Sequence, residues 1–530
     1  MDYLVTDPAR IIALRSLAEG RWHLVAGPVL DLRRTFIDTF DWAVYRAGAT
    51  LQWRHTPPHS RLIWSGLSAP DGDLAQSAPA APAFAADLPP GPVRKRLLRI
   101  TQHRRLLPVM RIDTRTHRLL LQDADHQTVA RLRLAQSRFH DPRGGDGDLH
   151  ARLRVVAVRG AADQGEAILA ALHDALGLAP AAVPLLLEAL AAAGRQPADY
   201  SPKIDHQLDP QARADAVTKQ ILRALFATLE VNLDGTRANL DCEFLHDLRV
   251  ATRRTRSALG QIRGVFPAPL AAHFKAEFAW LQEVTGPVRD LDVYLLEFDA
   301  YQGALPPALR PDLEPLRGFL RTHYDTLQRD LVAALDSERF THLAAHWRAF
   351  LEAPVPDPSA APTRNGARPI KSVADRRIRT LAKRVRREGR RIRPDSSPED
   401  LHELRKSCKK LRYLMEFFQS LYPREPLRTM IEQLKVLLDN LGGFQDRAVQ
   451  AAHLRDLAQR MRDEDQAASN TLLAVGAVVG NLLSRQQQAR GEFDQVFDAF
   501  LDGQRQPRLD SLFSPAPADG EATVATSGKP

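Results

Sequence analysis

The sequence predicts an α+β chain: an antiparallel, β-barrel-like N-terminal region followed by an all-α C-terminal region made of two related helical bundles. Three observations lead there. Up to about residue 192, short runs of alternating or β-branched apolar residues are separated by turn residues, the mark of antiparallel strands. From residue 211 onward, apolar residues recur at helical spacing over long segments. Within that helical half one stretch occurs twice: Leu245–Asp292 aligns without a gap with Leu401–Ala448, at a constant offset of 156 (402 − 246).

Composition bounds the classes. A chain of 530 residues exceeds what one hydrophobic core serves, so several domains are expected. A hydrophobic content of 44% excludes global disorder. The two cysteines, Cys242 and Cys408, fall in helical patterns beside basic residues and read as free thiols in a reducing compartment. Met1–Arg10 holds Asp2, Asp7 and Pro8 and no apolar run, so no signal peptide is expected. Thr471–Leu483, the longest apolar stretch, is interrupted by Gly476 and Gly480 and is too short to span a bilayer. The expectation is a cytoplasmic protein with no membrane partner.

In chain order, strands are expected at Arg21–Val25, Thr50–Trp53, Arg61–Trp64, Val109–Asp113, Arg118–Gln122, Thr128–Leu134 and Arg152–Val158. Ser65–Pro92, rich in Ala, Pro and Gly, reads as a long mobile loop, and Asp163–Leu176 as a helix. Residues 1–192 then form the β-rich domain and 193–210 a linker. A first helical bundle (211–352) comprises Gln211–Leu233, Phe244–Val265, Pro269–Val284, Val288–Tyr301, Leu309–Asp336 and Phe340–Leu351. A Pro-rich linker (353–369) leads to a second bundle (370–503) with Ser372–Arg391, Pro398–Leu421, Pro426–Leu441, Arg447–Asp465 and Ala467–Phe500. The polar segment 504–530 reads as a disordered tail.

The charge is concentrated. Between Gly366 and Arg412 there are 17 Lys and Arg against 6 Asp and Glu, a larger surplus than the net +9 of the whole chain. Such a stripe points to an anionic partner. At ~100° per residue, His246, Arg249, Arg253 and Arg256 fall within an arc of about 80° on one helix. Their counterparts His402, Arg405, Lys409 and Arg412 do the same, with Arg254 and Lys410 at the flanks. Like charges at i,i+3 and i,i+4 destabilise a helix slightly, so a duplicated basic ridge implies an anion that neutralises it. Arginine forks grip phosphate oxygens, lysine acts as a point charge, and histidine donates when protonated. Two copies imply a pseudo-twofold arrangement that turns both ridges toward one cleft. Asp290 and Asp446 either orient these basic side chains or cap the next helix after Gly286 and Gly442.

The segments LHDLRVATRRTRSAL (245–259) and LHELRKSCKKLRYLMEFF (401–418), with WLQEVTGPVRDLDVYL (280–295) and LLDNLGGFQDRAV (437–449), resemble the two halves of the CHAD family, the conserved-histidine α-helical domain. The likeness covers about residues 211–503. It implies two antiparallel bundles around a basic channel that holds inorganic polyphosphate, with no cofactor. Carried onto this sequence, the binding set is His246, Arg249, Arg253, Arg254, Arg256, His402, Arg405, Lys406, Lys409, Lys410 and Arg412. A further basic helix with Arg376, Arg379, Lys383 and Arg387 is expected to line the same channel. The second copy carries Lys409-Lys410 where the first has an arginine pair, keeping charge but losing the fork.

TFIDTFDWAVYRAGATLQWR (35–54) and MRIDTRTHRLLLQDADHQTVARLRL (110–134) resemble the CYTH, or triphosphate tunnel, family in degenerate form. That family hydrolyses phosphoanhydrides with a metal held by glutamates of an ExExK motif and of a later strand. Here RWHLV (21–25) has none of those acids, and ARLRVVAV (151–158) has Arg152 and Arg154 in their place. Losing the metal removes the main catalytic tool. The N-terminal region is therefore expected to be catalytically inactive, with Asp38, Asp41, Arg46 and Arg54 structural. His342 and His346 lack a completing ligand and read as packing, and SGKP at the C-terminus lacks the spacing of a P-loop. The leading expectation is a non-catalytic polyphosphate-binding protein at polyphosphate granules. The alternatives are a metal-dependent tri- or polyphosphatase acting through the N-terminal domain, and a nucleic-acid-binding protein. Against the last, the ridges carry no stacking aromatics, since Tyr413, Phe417 and Phe418 fall on or near the apolar side.

Overall fold

Runs of alternating apolar and polar residues bury one face when they pair as strands, as Thr128–His140 does here. The computed structural model describes residues 2–5, 22–55, 59–67, 72–158, 162–204, 206–357, 363–505 and 513. The chain divides into two compact units, Met1–Ser201 and Pro202–Pro530.

The first unit holds β1 (Asp2–Val5), β2 (His23–Asp38), β3 (Ala49–His55), β4 (Arg61–Gly66), β5 (Leu74–Ser77), β6 (Leu107–Gln122), β7 (Thr128–His140), β8 (Asp146–Asp148), β9 (Ala151–Ala157) and β10 (Leu178–Pro180). They form one antiparallel sheet in the order β10-β1-β9-β7-β6-β2-β3-β4-β5, with β8 on β7. Among the described residues, four helices accompany it: α1 (Ala43–Arg46), α2 (Pro92–Ile100), α3 (Ala162–Leu176) and α4 (Leu185–Ala192). Two expected strands, Val109–Asp113 and Arg118–Gln122, are one strand, because Thr114–His117 keep the register with β2 and β7. Of Arg21–Val25, Arg21 lies outside the described residues and most of the remainder opens β2.

The expected loop Ser65–Pro92 is largely structured. It contains β5 and a 3₁₀ turn at Ala85–Asp87. Gln76 on β5 ties its end down: Nε2 donates to the Pro89 carbonyl (2.8 Å), and Oε1 accepts from the Val93 and Arg94 amides (both 3.2 Å). The glutamine thereby satisfies two orphan donors at the start of α2. A Cβ on Gly91 would meet the Gln76 amide at 2.3 Å, so a side chain there would displace this glutamine from its cap.

The second unit is helical: α5 (Ala214–Arg237), α6 (Cys242–Gln261), α7 (Ala268–Val284), α8 (Gly286–Gly303), α9 (Glu314–Leu335), α10 (Glu338–Glu352), α11 (Ile370–Gly389), α12 (Pro398–Phe417), α13 (Arg424–Asp463) and α14 (Ser469–Arg505). Helix starts keep the offset of 156: α5 and α11 begin at 214 and 370, α6 and α12 at 242 and 398, α7 and α13 at 268 and 424. Arg213 and Pro369, themselves equivalent, form an antiparallel bridge with each other. Where α7 and α8 are separate, α13 runs unbroken for 40 residues, although a break after Leu441 is expected from the sequence. The difference is one residue. Pro287 lacks an N–H and its ring clashes with the carbonyl four residues back, so the first copy starts a new helix there. Its counterpart Gly443 costs only about 1 kcal/mol in a helix interior, which buried Leu438, Leu441 and Phe444 offset.

Two apolar cores run through this unit, and both draw on both copies. The larger joins residues such as Leu248, Phe278 and Trp347 to Leu404, Leu411 and Phe493. The smaller joins Leu291, Phe298 and Leu320 to Leu457 and Val478. Residues 363–369 are stitched to the first copy, Asn365 N to the Gly264 carbonyl (2.8 Å) and Ala214 N to the Arg368 carbonyl (2.9 Å). Of the tail at 504–530, only Gln504 and Arg505, ending α14, and Phe513, packed on Tyr422, are described; the remainder lies outside the described residues. No helix is long and apolar enough to cross a membrane among the described residues.

Gly443→Pro is expected to destabilise the protein by about 3 kcal/mol or more, because it removes one helix hydrogen bond and sets a ring against the Asp439 carbonyl. Pro287→Ala, at an exposed first-turn position, should stay within about 0.5 kcal/mol. Urea denaturation of both variants checks the contrast; equal losses would disprove the account of the unbroken helix.

Candidate functional site

Helix α6 is started by Asp241, whose carboxylate accepts from the Glu243 amide (2.9 Å) and the Phe244 amide (3.3 Å). Helix α12 is started by Ser397 and Asp400 in a reciprocal capping box, with Pro398 in the first turn. Each then buries an apolar face, Leu245, Leu248, Ala251 and Leu259 on α6 and Leu401, Leu404, Leu411 and Met415 on α12. Burial of those faces leaves His246, Arg249, Arg253 and Arg256, and His402, Arg405, Lys409 and Arg412, half-buried on the remaining surface.

The two helices pack on each other and are cross-linked through their basic residues. Arg253 Nε donates to the Tyr413 hydroxyl (2.9 Å). Arg254 Nη2 donates to Glu416 Oε2 (2.6 Å), and its Nη1 to the Pro202 carbonyl (3.2 Å). Arg412 Nε lies 3.5 Å from the other oxygen of Glu416. The Tyr413 ring carries the guanidinium of Arg254 at 5.8 Å and that of Arg412 at 5.3 Å. Tyr413 is buried, as its pattern implies, yet it serves three arginines. Sequence reasoning missed this role and that of Glu416. The available signal was Glu416 four residues after Arg412, a spacing that brings opposite charges together on a helix.

The equivalent residues Arg249 and Arg405 are anchored differently. Arg249 Nη1 donates to the Gln282 carbonyl and to Thr285 Oγ1 (both 2.8 Å), at the break between α7 and α8. The second copy has no break, and Arg405 Nη2 bonds Asp446 instead (2.9 Å). Asp446 thus orients a basic side chain and caps nothing, because α13 runs through it. Asp290 lies in the body of α8, within electrostatic reach of Arg249. Arg289, absent from the expected set, donates to the Cys242 carbonyl (3.2 Å) and lies 3.9 Å from Glu243 and 3.7 Å from Asp292.

Crowding of like charge shows in the ionisation of the cluster. Burial, reinforced by Arg405, Arg253 and Arg412, pushes the Lys409 ammonium down to about 8. Burial also lowers Arg249 to about 10, with Arg253 and Arg289 acting against Asp290. His246 is lowered by burial and then by Arg289. Arg253 contributes to all three shifts, so it marks the middle of the cluster. Several ring and guanidinium nitrogens are buried with no hydrogen-bond partner among the described residues: Nε of Arg254, Arg256, Arg405 and Arg412, and Nδ1 of His402. Buried nitrogens of this kind normally have a partner, from protein, water or ligand.

The remaining expected residues sit further out. Lys406 is exposed and paired with Glu403 (2.7 Å). Lys410 is lowered by burial and then by Arg384 of α11. Arg376, Lys383 and Arg387 are exposed along α11, and Arg379 Nε donates to its own helix at Asp375 O (3.3 Å). Arg384, on the turn beside Lys383, thus acts on α12, opposed there by Glu388 of the same helix. The cysteines are free, and Cys408 is fully buried. His342 and His346 stack at 6.0 Å.

In the first unit, Asp38 is a cap. It accepts from the amides of Thr39 (2.7 Å), Val44 (2.8 Å) and Tyr45 (2.9 Å), while burial pushes its carboxyl up to about 6. Asp41 accepts from Thr39 Oγ1 (2.7 Å), Arg46 donates to the Asp41 and Tyr200 carbonyls (2.8 and 2.9 Å), and Arg54 Nε donates to Gln52 (3.2 Å). Arg152 pairs with Glu188 (2.6 Å) and Arg154 with Asp2.

A family model described as the CHAD domain matches residues 220–455, from within α5 to within α13. Residues 220–455 are a CHAD domain. That segment contains both α6 and α12, hence every basic residue of the paired ridges. Among curated proteins, the chain is similar to the uncharacterized protein Rv2226 of Mycobacterium tuberculosis, 29% identical over 283 residues, 49% of this chain and 51% of that protein. The chain thus spans about half the length of the curated relatives it matches. Among solved structures it is similar to the CHAD domain from the plant Ricinus communis, at 25% identity, covering 56% of this chain and 94% of that one with a TM-score of 0.47. PptA from Streptomyces chartreusis matches at 18% identity, over 54% of this chain and all of that one, with a TM-score of 0.41.

The lowered Lys409 gives a pH signature of the ligand-free CHAD segment. Its folded value of about 8 lies below the unfolded ~10.4. Below about pH 8 both states are charged and the fold carries the full cost of the buried ammonium. Between the two values the unfolded chain holds the proton that the folded one has shed, so stability rises with pH across that window. Lys409→Met is expected to raise the melting temperature at pH 7 and to abolish this part of the rise toward pH 10. A variant no more stable than wild type at pH 7 would contradict the assignment.

Proposed function

We propose that the protein is a non-catalytic binder of inorganic polyphosphate, held as a polyanion between the paired helices α6 and α12. The observation that carries this reading is the convergence of Arg253, Lys409, Arg405 and Arg412 from two helices, where burial first and the neighbouring cations second lower Lys409 to about 8. Holding such cations together costs stability in the free protein, and a polyanion reverses that cost. The buried nitrogens of Arg256, Arg405 and His402 that lack a hydrogen-bond partner among the described residues supply hydrogen bonds such a ligand takes. Residues 220–455 being a CHAD domain supports the same ligand. The equivalent-to-equivalent bridge between Arg213 and Pro369 and the repeated helix starts support a pseudo-twofold relation of the two copies.

A bare phosphate chain suits the site better than nucleic acid. Tyr413 is the aromatic residue of the cluster, and it is buried with Arg254 and Arg412 over its ring, so no stacking platform for bases is offered. The N-terminal sheet is read as a degenerate CYTH-like barrel without hydrolase activity. In support, Asp38 is committed to backbone caps, and Arg152 and Arg154 are paired where metal-binding acids are expected. Association with polyphosphate granules in the cytoplasm belongs to the same reading.

Competitive binding at fixed salt tests it: long-chain polyphosphate against single-stranded RNA and duplex DNA of matched charge. Arg256→Gln/Lys409→Gln leaves the Arg254–Glu416 and Arg405–Asp446 pairs in place. At about 1.5–3 kcal/mol per charged hydrogen bond, the double change should weaken polyphosphate binding by a hundredfold or more and lower its salt dependence. Equal affinity for all three polyanions, or an unchanged variant, would falsify the dedicated site. A second test is calorimetric. At pH 8.5 Lys409 is largely neutral in the free protein, and a bound anion restores its charge, so binding should take up as much as about one proton. Titrations in buffers of different ionisation enthalpy measure this uptake, and Lys409→Gln should lack it.

A further inference from the structure

Beside the duplicated ridge lies a cavity most of whose polar lining is not repeated between the copies. Helices α8, α9 and α13 enclose about 360 Å³ lined by Asp290, His323, Thr326, Leu327, His453 and Arg460. That is the lower end of the range of small-ligand pockets. At the positions 156 residues after His323, Thr326 and Leu327 the second copy has Val479, Leu482 and Leu483, and Val479 and Leu482 are buried in the smaller core. Those 156 residues before His453 and Arg460 are Glu297 and Ala304. The polar lining residues His323, Thr326, His453 and Arg460 thus have no like counterpart in the other copy, which carries Val479, Leu482, Glu297 and Ala304 at those positions.

The lining is suited to an anion. Arg460 lies over the Phe319 ring at 5.7 Å and makes no ion pair among the described residues. His323 Nδ1 donates to the Phe319 carbonyl (3.1 Å), which leaves Nε2 as the ring's other hydrogen-bonding atom. His453 Nδ1 lies 3.1 Å from the Tyr294 hydroxyl. Asp290 is the acidic wall, its carboxyl raised by desolvation and lowered by Arg249 and His453. The pocket adjoins the ridge. Arg249 is anchored at Thr285, its Nη1 3.7 Å from where a Cβ on Gly286 would lie, and one turn further on Asp290 faces the cavity within electrostatic reach of both Arg249 and His453.

We infer that this cavity receives the terminal phosphate of the bound chain, so that the cleft is directional and reads a chain end. The inference rests on the polyphosphate reading above. An internal phosphate carries one ionised oxygen and continues on both sides. A terminal group stops on one side and has a second ionisation near 6, a charge for which two histidines and an arginine are matched donors.

The test uses the full-length protein, with a linear polyphosphate of defined length and the same chain capped at both terminal phosphates as alkyl esters. The wild type is expected to bind the uncapped chain at least about tenfold more tightly, the scale of one lost charged hydrogen bond. His323→Val/Thr326→Leu, which installs the residues of the second copy, should bind both chains alike, at the capped level. His453→Gln provides an independent variant with the same expectation should the double change fail to melt cooperatively. Equal binding of capped and uncapped chains by the wild type overturns the chain-end assignment and leaves the polyphosphate reading standing. Binding of neither chain overturns both.

Discussion

The helical unit depends on one constraint: two helices rich in positive charge are packed against each other. Like charges at this separation repel, and in a partly buried site the repulsion is screened less than at a surface. The packing is sustained by the apolar faces beneath and by a few compensating contacts above. Leu248 and Leu404, both fully buried, anchor the two helices in one shared core. Glu416 and Tyr413 then divide the arginines between them. Glu416 takes Arg254 and approaches Arg412, while Tyr413 takes a hydrogen bond from Arg253 and two cations over its ring. What those contacts do not neutralise remains as a lowered Lys409 and a set of buried, unpartnered nitrogens.

Duplication explains both the symmetry of this arrangement and its departures. Helix starts repeat at a fixed offset because caps and prolines repeat: Pro267 and Pro423 precede α7 and α13 at equivalent positions. A single change, Pro287 against Gly443, then separates the copies. It breaks one helix and leaves the other continuous, and the break provides Thr285 and the Gln282 carbonyl as the anchor of Arg249. The unbroken copy anchors Arg405 on Asp446. The same ridge is thus positioned by backbone in one half and by a carboxylate in the other. The polar cavity lies on the broken side, so local backbone geometry and site asymmetry are linked.

Much of the site was legible in the sequence because it lies on regular helices. For His246, Arg249, Arg253 and Arg256, and for their counterparts, a periodicity of 3.6 is enough to place them on one face. The offset of 156 is enough to pair them. Roles were less legible where they depend on a partner distant in sequence. Arg254 reads as a flanking cation, yet it is a cross-link to Glu416, 162 residues away. Tyr413 reads as apolar, which is right for its ring and wrong for its hydroxyl. Arg289 has no periodicity argument at all. In the N-terminal unit, Ser65–Pro92 has the composition of a loop, and only the reach of Gln76 across to Pro89 and Val93 shows how its end is held.

The sequence by itself determined the class of structure, the duplication, and which side chains share a helix face. These follow from local periodicity, and local periodicity survives without knowledge of the rest of the chain. The tertiary structure decided which of those side chains meet. Lys409 is shifted because the packing buries it and because Arg405 of its own helix and Arg253 of another then converge on it. The cavity at His323, His453 and Arg460 exists because the consecutive helices α8 and α9 meet α13, which lies far beyond them along the chain. Charge spacing across helices and the shape of a void are sums over contacts between distant residues, and no local pattern encodes them.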